Sequence, residues 1–331
     1  MRFFTTLLLL ILMTGCLLAQ EVSNVRVVQR TDGTFTVDIW YDLALNDASH
    51  TLIDVQASDD NGVTWDLGCA SLTGDEGMVY TAGTDKHIEW DFYADHPNTS
   101  GSQFKIRILY YLFGYMTGND GTSYLTIKIG NQWWMAENLK ETLYRDKSPI
   151  VEETDGTQWL WAGQRGDARR CVYDNNENNA ATYGYLYNWD VVNPNNSQKI
   201  APAGWHVPTD SEWKILERTL GMSESESNGI DFRGTNEGSK LAGQGYLWKT
   251  GTLRNDSDFG ASLFSALPGG LRGSLNEQVY FDDKGDGAYF WTSSLETYIY
   301  AWARNILYYH SDIYRRYTSM TGGYSIRLVK D

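Results

Sequence analysis

The residues best suited to binding chemistry lie near the C-terminus, where tyrosines are mixed with charged and amide side chains. Seven tyrosines stand between Glu296 and Tyr324, counting Tyr324 itself. Tyrosine offers a large contact area at low entropic cost, and its ring can stack on a sugar while its hydroxyl forms hydrogen bonds. The predicted binding surface, for a glycan or a protein, comprises Trp302, Tyr308, Tyr309, His310, Asp312, Tyr314, Arg315, Arg316 and Tyr317. Ordinary packing in edge strands would explain the same residues.

Asp282, Asp283 and Asp286 are spaced as at the start of a calcium-binding loop. Such loops carry a glutamate at the twelfth position, where this sequence has Ser293. We keep the three aspartates as a calcium candidate and expect no other cofactor. Asn188-Trp189-Asp190 resembles the Trp-Asn-Asp triplet of calcium-dependent lectins only in shuffled order, so calcium-dependent sugar binding is not indicated.

The sequence does not indicate a catalytic site. A cysteine nucleophile needs a neighbouring base, and the histidines are scattered without metal-ligand spacing. They are His50, His87, His96, His206 and His310. We interpret His206 as a hydrogen-bonded residue that fixes a turn. No phosphate loop or dinucleotide fingerprint follows a predicted strand. We therefore expect the protein not to be an enzyme.

The charge balance disfavours nucleic acid as a partner. The 331 residues include 27 basic and 42 acidic side chains. Without residues 1–20 the balance is 26 to 42, a formal charge of −16. A surface of this sign repels phosphate backbones. The carboxylates are scattered, so we interpret the acidity as a means of solubility.

Residues 1–20 are typical of a secretory signal peptide. Arg2 precedes an apolar run at residues 7–13, and small and polar residues follow. The run is too short to span a bilayer, and no later segment could. Cleavage after Ala19 would release a soluble protein, whereas Cys16 ends a lipobox-like sequence and could carry a lipid anchor. We expect export, either secretion or location in the cell envelope at the outer surface or in the periplasm.

Two domains are expected from the length of the chain. Residues 21–113 show short segments of period-two alternation separated by turn residues, which predicts an all-β sandwich of immunoglobulin or fibronectin III character. Within it, residues 58–65 fit an Asp-box, in which Asp60 caps a tight turn and Gly62 permits positive φ. A single copy indicates a hairpin device rather than a sialidase propeller.

Residues 114–121, rich in glycine and short polar residues, predict a linker to a second domain at 122–331. A hairpin is expected at 124–135, and one helix after Pro208 with a capping box formed by Thr209 and Glu212. Residues 221–287 are expected to be irregular. The closing strands are predicted at 288–294, 298–307 and 324–329. The second domain is thus α+β with few helices.

Beyond the predicted signal peptide, Cys69 and Cys171 are the remaining cysteines, one in each proposed domain. A disulfide framework is therefore absent. The two could form one interdomain bridge or remain buried thiols, and the sequence leaves both open.

Six motifs in order give the second domain a recognisable pattern. They are residues 120–124 (DGTSY), 128–139 (KIGNQWWMAENL), 183–189 (YGYLYNW), 202–209 (PAGWHVPT), 267–272 (LPGGLR) and 324–327 (YSIR). Together they resemble the FISUMP, or major paralogous, domain family over residues 117–331. That resemblance implies a C-type-lectin-like fold related to formylglycine-generating oxidases.

The sequence departs from that family at two positions. Relatives would commonly carry cysteines where Ala201 and Leu328 stand, so a bridge between them, if relatives form one, is lost as a pair. Two apolar replacements can pack without a leftover thiol. We expect an exported, noncatalytic recognition or adhesion module. The alternatives are a divergent oxidase-like enzyme and a structural envelope protein without a specific ligand.

Overall fold

The computed structural model of the protein describes residues 21–275 and 277–331. The predicted signal peptide and Cys16 lie outside these ranges. The chain divides after Gly114 into two compact units, Met1–Gly114 and Tyr115–Asp331. No helix in the described ranges is long and apolar enough to cross a membrane.

The first unit consists of two antiparallel sheets that share one apolar core. Its elements are β1 (Val22–Gln29), β2 (Thr36–Leu43), β3 (His50–Ser58), β4 (Leu72–Gly74), β5 (Gly77–Val79), β6 (Gly83–Asp91), α1 (Phe92–Asp95) and the greater part of β7 (Lys105–Thr117). The strand orders are β1-β2-β6-β4 and β5-β3-β7. Ile39 and Ile88 of one sheet and Val55 of the other belong to the same buried cluster. Strands with one buried face produce this arrangement.

The Asp-box adopts the predicted turn. Ser58 Oγ donates to Asp60 Oδ1 at 2.7 Å, and the Asp60 carboxylate accepts the backbone N–H groups of Val63 and Thr64. These hydrogen bonds, that of Ser58 foremost, lower the pKa of Asp60 to about 2. Gly62 has a φ of +89°, which a residue with a Cβ adopts only with strain. The motif is therefore a local folding device, as predicted.

The second unit is mostly β with short helices. Its strands are β8 (Ser123–Ile129), β9 (Gln132–Met135), β10 (Arg170–Cys171), β11 (Leu186–Tyr187), β12 (Trp205–His206), β13 (Asp231–Arg233), β14 (Gly269–Leu275), β15 (Gln278–Lys284), β16 (Gly287–Leu295), β17 (Tyr300–Leu307), β18 (Ile313–Ser319) and β19 (Val329–Lys330). Its helices are α2 (Gly156–Arg165), α3 (Asn178–Tyr183), α4 (Trp189–Val192), α5 (Asp210–Thr219), α6 (Glu224–Ser227), α7 (Glu237–Leu241) and α8 (Thr252–Asn255). The prediction of a β-rich chain with few helices is confirmed.

The strands of this unit pair in four groups. Two groups have four strands each, in the orders β12-β19-β9-β8 and β13-β18-β17-β16, and the other two are the pairs β14–β15 and β10–β11. Helix α5 begins as predicted, because the capping box of Thr209 and Glu212 is present. The buried face of α5 carries Trp213, whose ring lies 5.1 Å from that of Trp134 and 5.6 Å from that of Phe290. The helix thus packs on the aromatic core.

A buried ion-pair network joins α5 to the β13-β18-β17-β16 sheet. Arg304 donates to Glu217 Oε1 at 2.5 Å and to Asp210 Oδ1 at 2.8 Å. Arg315 contacts both oxygens of Asp210, and Arg233 donates to Glu217 Oε2 at 2.6 Å. Burial raises the pKa of Asp210, but the hydrogen bond from Arg315 and the charge of Arg304 outweigh it, and the pKa stays well below its ordinary value. Three buried arginines, with Lys214 3.2 Å from Asp210 Oδ2, face two carboxylates, so loss of either acid leaves a buried arginine uncompensated.

Two predictions about backbone structure were wrong. Residues 221–287 contain three short helices and the strands β13, β14 and β15 rather than irregular chain alone. Elements of three to seven residues are too short to produce a periodic pattern. Residues 324–329 form isolated bridges at Tyr324 and Ser325, and of them only Val329 belongs to a strand.

Residues 324–329 include a buried arginine, Arg327, that binds other segments of the unit. Its side chain is fully buried, and its guanidinium group donates to Asn138 Oδ1 at 2.8 Å. It also donates to the backbone carbonyls of Met135, Phe264 and Ser265 at 2.7 to 3.0 Å. The chain here is arranged around a side chain that binds other segments, which a pattern of alternating apolar residues does not reveal.

The segment predicted as a linker, 114–121, holds the end of β7 and a turn. Within the turn, Asn119 is buried and its side chain donates to the carbonyls of Leu143 and Ile200. Its backbone N–H donates to Glu141. The turn is therefore fixed to the second unit by hydrogen bonds.

Replacing Glu217 by glutamine should lower the free energy of unfolding by about 3 to 5 kcal/mol, because Arg304 and Arg233 lose their shared carboxylate in a buried site. Chemical denaturation followed by tryptophan fluorescence measures this change, since ten of the 13 tryptophans lie beyond residue 121. Glu224→Gln, at an exposed position, is the matched control and should change stability by less than about 0.5 kcal/mol. Equal effects of the two substitutions would contradict a structural role for the network.

Candidate functional site

The predicted tyrosine-rich surface is divided by the pleat of β18. Antiparallel pairing places Trp302 opposite Tyr317 and Arg304 opposite Arg315 on the face that meets α5. Trp302 and Arg315 are buried there, and the Arg315 guanidinium carbon lies 3.6 Å from the centre of the Trp302 ring. Arg315 also pairs with Asp210, so these two predicted binding residues serve the packing of α5.

Tyr317 shares the face of Trp302. The other predicted residues gather near the turn between β17 and β18, with Tyr314 and Arg316 on the opposite face of β18. The His310 ring stacks on Phe232 at 3.7 Å, and the Tyr314 ring lies 4.5 Å from Phe232. His310 Nδ1 lies 3.0 Å from Asp312 Oδ1. Tyr309 is 49% exposed beside this group. Arg316 shares this face with Tyr314, its guanidinium carbon 5.8 Å from the Tyr314 ring.

Tyr308 directly follows β17 and is partly buried, with the Lys249 ammonium 4.2 Å from its ring centre. Its backbone carbonyl accepts the N–H of Leu253. The residue therefore holds α8 against the end of the hairpin as well as contributing to the surface.

A second exposed group lies at the far end of the hairpin from this turn. We call it the aromatic patch, and it consists of the ring pair Tyr300 and Tyr317 with the preceding loop residues Tyr298 and Ile299. Tyr298 is 86% exposed, and the Tyr300 and Tyr317 rings are 5.7 Å apart. The Tyr317 ring packs edge-on against Trp302 at 5.6 Å, which fixes the patch to the buried framework.

The three aspartates of the calcium candidate point to separate partners. Asp286 pairs with Lys249 at 3.0 Å, and Asp283 accepts a hydrogen bond from Tyr289. Asp282 Oδ1 accepts the backbone N–H of Asp283. Among the described residues, the group with three ligand-type atoms within 4.8 Å of one another is Asp38, His87 and Glu89, in the first unit.

That acidic group already holds a cation, the guanidinium of Arg30. Arg30 donates to both oxygens of Asp38 at 2.7 and 2.8 Å and also contacts Glu89. His87 Nε2 lies 2.7 Å from Asp38 Oδ1. The arrangement is an ion-pair cluster on the surface of the sheet.

Both cysteines in the described ranges are free thiols. Cys171 is fully buried against Trp159, Tyr173 and Leu186, and burial raises its pKa to about 12. Burial likewise raises the pKa of Cys69 to about 12. A thiol in this state is a poor nucleophile at neutral pH.

His206 stabilises the start of α5, as predicted from its position before the helix. Its Nε2 lies 2.7 Å from Glu212 Oε1, and its Nδ1 lies 2.6 Å from Asp331 Oδ1. The hydrogen bond with Glu212 is the main reason that its pKa rises to about 8. Because both ring nitrogens bind carboxylates, we interpret His206 as a residue that stabilises the fold.

A polar cavity of about 500 Å³ lies in the second unit at a place that the sequence did not indicate. We call it the Asp190 pocket. Its lining comprises Tyr144, Pro149, Val151, Gly166, Asp167, Ala168, Arg169, Asp190, Asn193, Asn195, Asn196, Ser197 and Gln198. Pockets of 300 to 1,000 Å³ are of the size that holds small ligands.

Two charged side chains in this lining each have one buried atom without a hydrogen-bond partner. Asp190 is 4% exposed, and its Oδ2 accepts no hydrogen bond. Burial, with a smaller contribution from the charge of Asp167, raises the pKa of Asp190 to about 6. The Nε of Arg169 is also buried without an acceptor. Buried polar groups are normally satisfied, so each of these needs an explanation.

Local structure fixes both side chains. Asn188, fully buried, accepts the backbone N–H of Arg169 at 2.9 Å and donates to the carbonyl of Asp167 at 2.8 Å. Trp189 Nε1 donates to the carbonyl of Thr292, which anchors α4 and the Asp190 that it carries. The YGYLYNW motif at residues 183–189 thus positions the pocket. The adjacent Asp190 and the asparagine-rich run after it were the signals available in the sequence.

The family model described as Fibrobacter succinogenes major domain (Fib_succ_major) matches residues 127–330, more than half of the chain. No curated protein matches the chain, and no solved structure matches it.

Replacing Asp190 by asparagine should stabilise the protein at neutral pH. The folded pKa of about 6 exceeds the ordinary 3.8, so the folded state binds more protons, and its stability falls as pH rises from about 4 to about 6. That shift corresponds to roughly 3 kcal/mol, and the variant should gain about 1 to 3 kcal/mol at pH 7 and little at pH 4. Urea denaturation of both proteins across this range measures the difference.

The exposed Asp282→Asn is the control for this experiment, because the amide oxygen that it introduces can still accept the N–H of Asp283. This control variant should show no pH-dependent gain in stability. A variant of Asp190 that is less stable at pH 7, or whose difference from the wild type is constant with pH, would contradict the uncompensated burial of this carboxyl.

Proposed function

This chain belongs to the Fibrobacter succinogenes major domain family, the FISUMP family that its motifs predicted, and from that premise we propose that it is an exported, noncatalytic recognition module. The second unit binds a glycan or a protein at the cell surface through the aromatic patch. The observation that carries the proposal is the exposure of the ring pair Tyr300 and Tyr317 next to the exposed loop residues Tyr298 and Ile299. Soluble proteins rarely leave apolar side chains clustered on the surface without a use.

The geometry of the patch suits a sugar. Tyr300 and Tyr317 present two rings 5.7 Å apart at an angle of 58°, and the loop residue Tyr298, two positions before Tyr300, is largely exposed. Aromatic rings pack on the apolar face of a saccharide, while their hydroxyls bond to its hydroxyls. The buried Trp302 supports Tyr317 from below, so little side-chain entropy is lost on binding.

The proposed architecture is an immunoglobulin- or fibronectin III-like sandwich that serves as a spacer, followed by a C-type-lectin-like recognition domain. Two antiparallel sheets around one apolar cluster support the first assignment. The family resemblance supports the second. Ala201 and Leu328, which stand where relatives would carry cysteines, are both buried, as expected for apolar replacements that pack.

A noncatalytic role is supported by the state of Cys171. An oxidase-like enzyme of the related fold needs reactive cysteines close together. Cys171 has no exposed surface, its pKa is raised by burial, and Cys69 belongs to the other unit. Tight copper binding that is lost in Cys171→Ala would favour the oxidase-like alternative instead.

Alanine substitution of Tyr298, Tyr300 and Tyr317 together should weaken binding at least tenfold, because truncating a central aromatic contact typically costs more than about 1 kcal/mol. A glycan array and a pull-down with the mature protein identify the ligand, and calorimetry measures the affinity. A protein that binds nothing in either assay would overturn the recognition function.

The matched control is Tyr309→Ala with Tyr314→Ala, which removes aromatic rings at the other end of the hairpin. This variant should bind as the wild type does. If it loses binding and the patch variant keeps it, the site lies at the β17–β18 turn instead. Tyr300→Phe, which keeps the ring, should retain most of the affinity.

Export is proposed from the sequence of residues 1–20. Mass spectrometry of the protein recovered from the cell envelope should show a mature chain that begins at Gln20, or a lipid-modified chain that begins at Cys16. Cys16→Ser abolishes membrane retention in the second case and has no effect in the first. A full-length chain that begins at Met1 and remains in the cytoplasm contradicts export.

A further inference from the structure

We propose that the Asp190 pocket binds a small neutral saccharide, or one terminal sugar of a larger glycan, without a metal ion. The pocket is a site apart from the aromatic patch, because the two share no residue. Either can therefore be tested without the other.

The first argument is that the lining of the pocket includes both a hydrogen-bond acceptor and a hydrogen-bond donor without a partner. Asp190 Oδ2 is an acceptor without a donor, and Arg169 Nε is a donor without an acceptor. A hydroxyl group is both donor and acceptor, so a ligand with several adjacent hydroxyls suits a lining that offers a carboxylate and a guanidinium group.

The second argument comes from the charges around the cavity, which exclude simpler ligands. Asp190 repels an anion such as phosphate, and Arg169 repels a metal cation. Asp167 lies within 3.4 Å of Arg165 and 3.7 Å of Arg169, so its carboxylate is already compensated. A neutral ligand with closely spaced donors and acceptors fits this mixture of signs.

The third argument is the amide-rich rim. Asn193, Asn195, Asn196 and Gln198 line the cavity, and each amide has both donor and acceptor atoms. Some of these atoms shape the rim: Asn193 Oδ1 accepts the N–H of Asn195, and Asn196 Oδ1 accepts the N–H of Gln198. Asn196 Nδ2 donates to the carbonyl of Asp190. The loop is thus ordered before a ligand arrives, which lowers the cost of binding.

The experiment titrates the mature protein with glucose, galactose, mannose, xylose and N-acetylglucosamine and with their β-linked disaccharides. Calorimetry or saturation-transfer NMR reports binding. Parallel titrations use calcium chloride alone and free glycine. The variants are Asp190→Asn and Asp190→Leu, with the exposed Asp282→Asn as control. Denaturation curves establish that each variant is folded.

Saturable binding of at least one saccharide is expected, weakened at least tenfold by Asp190→Asn and further by Asp190→Leu, and unchanged by Asp282→Asn. The triple alanine variant of the aromatic patch should retain this binding. Three results overturn the proposal: no saccharide binds, the Asp190 variants bind as the wild type does, or calcium or glycine binds at Asp190 while saccharides do not. Glycan binding that needs the aromatic patch but not Asp190 overturns the pocket alone and leaves the recognition function standing.

Discussion

The second unit depends on buried arginines that bind segments without regular structure. Long connections carry backbone carbonyls that must find donors once they leave water. A guanidinium group has five N–H donors in a fixed plane, so one side chain can satisfy several carbonyls from different segments. Arg327 does so for residues 135, 264 and 265, and Arg272 does so for Glu153 and Thr154. Both also lie over aromatic rings of the core.

The ion-pair network of α5 also consists of buried arginines, but these bind carboxylates rather than backbone carbonyls. Arg233, Arg304 and Arg315 come from three neighbouring strands and converge on two carboxylates of one helix. Buried ion pairs contribute little to stability compared with apolar packing, but a mismatched arrangement is costly. We infer that the network selects the position of α5 on the sheet. The stacking of Arg315 on Trp302 then transmits that position to the aromatic patch.

Local signals in the sequence were sufficient for part of this structure. The capping box of α5 and the turn of the Asp-box depend on residues within seven positions of one another, and both formed as predicted. The role of Arg327 could not be predicted, because its partners lie up to 192 positions away. The Asp190 pocket was missed for the same reason: Tyr144, Gly166 and Asn196 meet only in the folded chain. The division of the tyrosine-rich segment was predictable in principle, since Tyr314 and Arg315 must point to opposite faces of a strand.

The hairpin loop between β16 and β17 bears on how the binding surface can evolve. Tyr298 and Ile299 lie on this loop and are largely exposed, while the residues that hold the hairpin in place, such as Arg304, are buried several positions away. Substitutions at exposed loop positions usually alter stability little. Specificity could therefore diversify by point mutation among copies of this domain without endangering the framework, in the way that variable loops evolve on a constant scaffold.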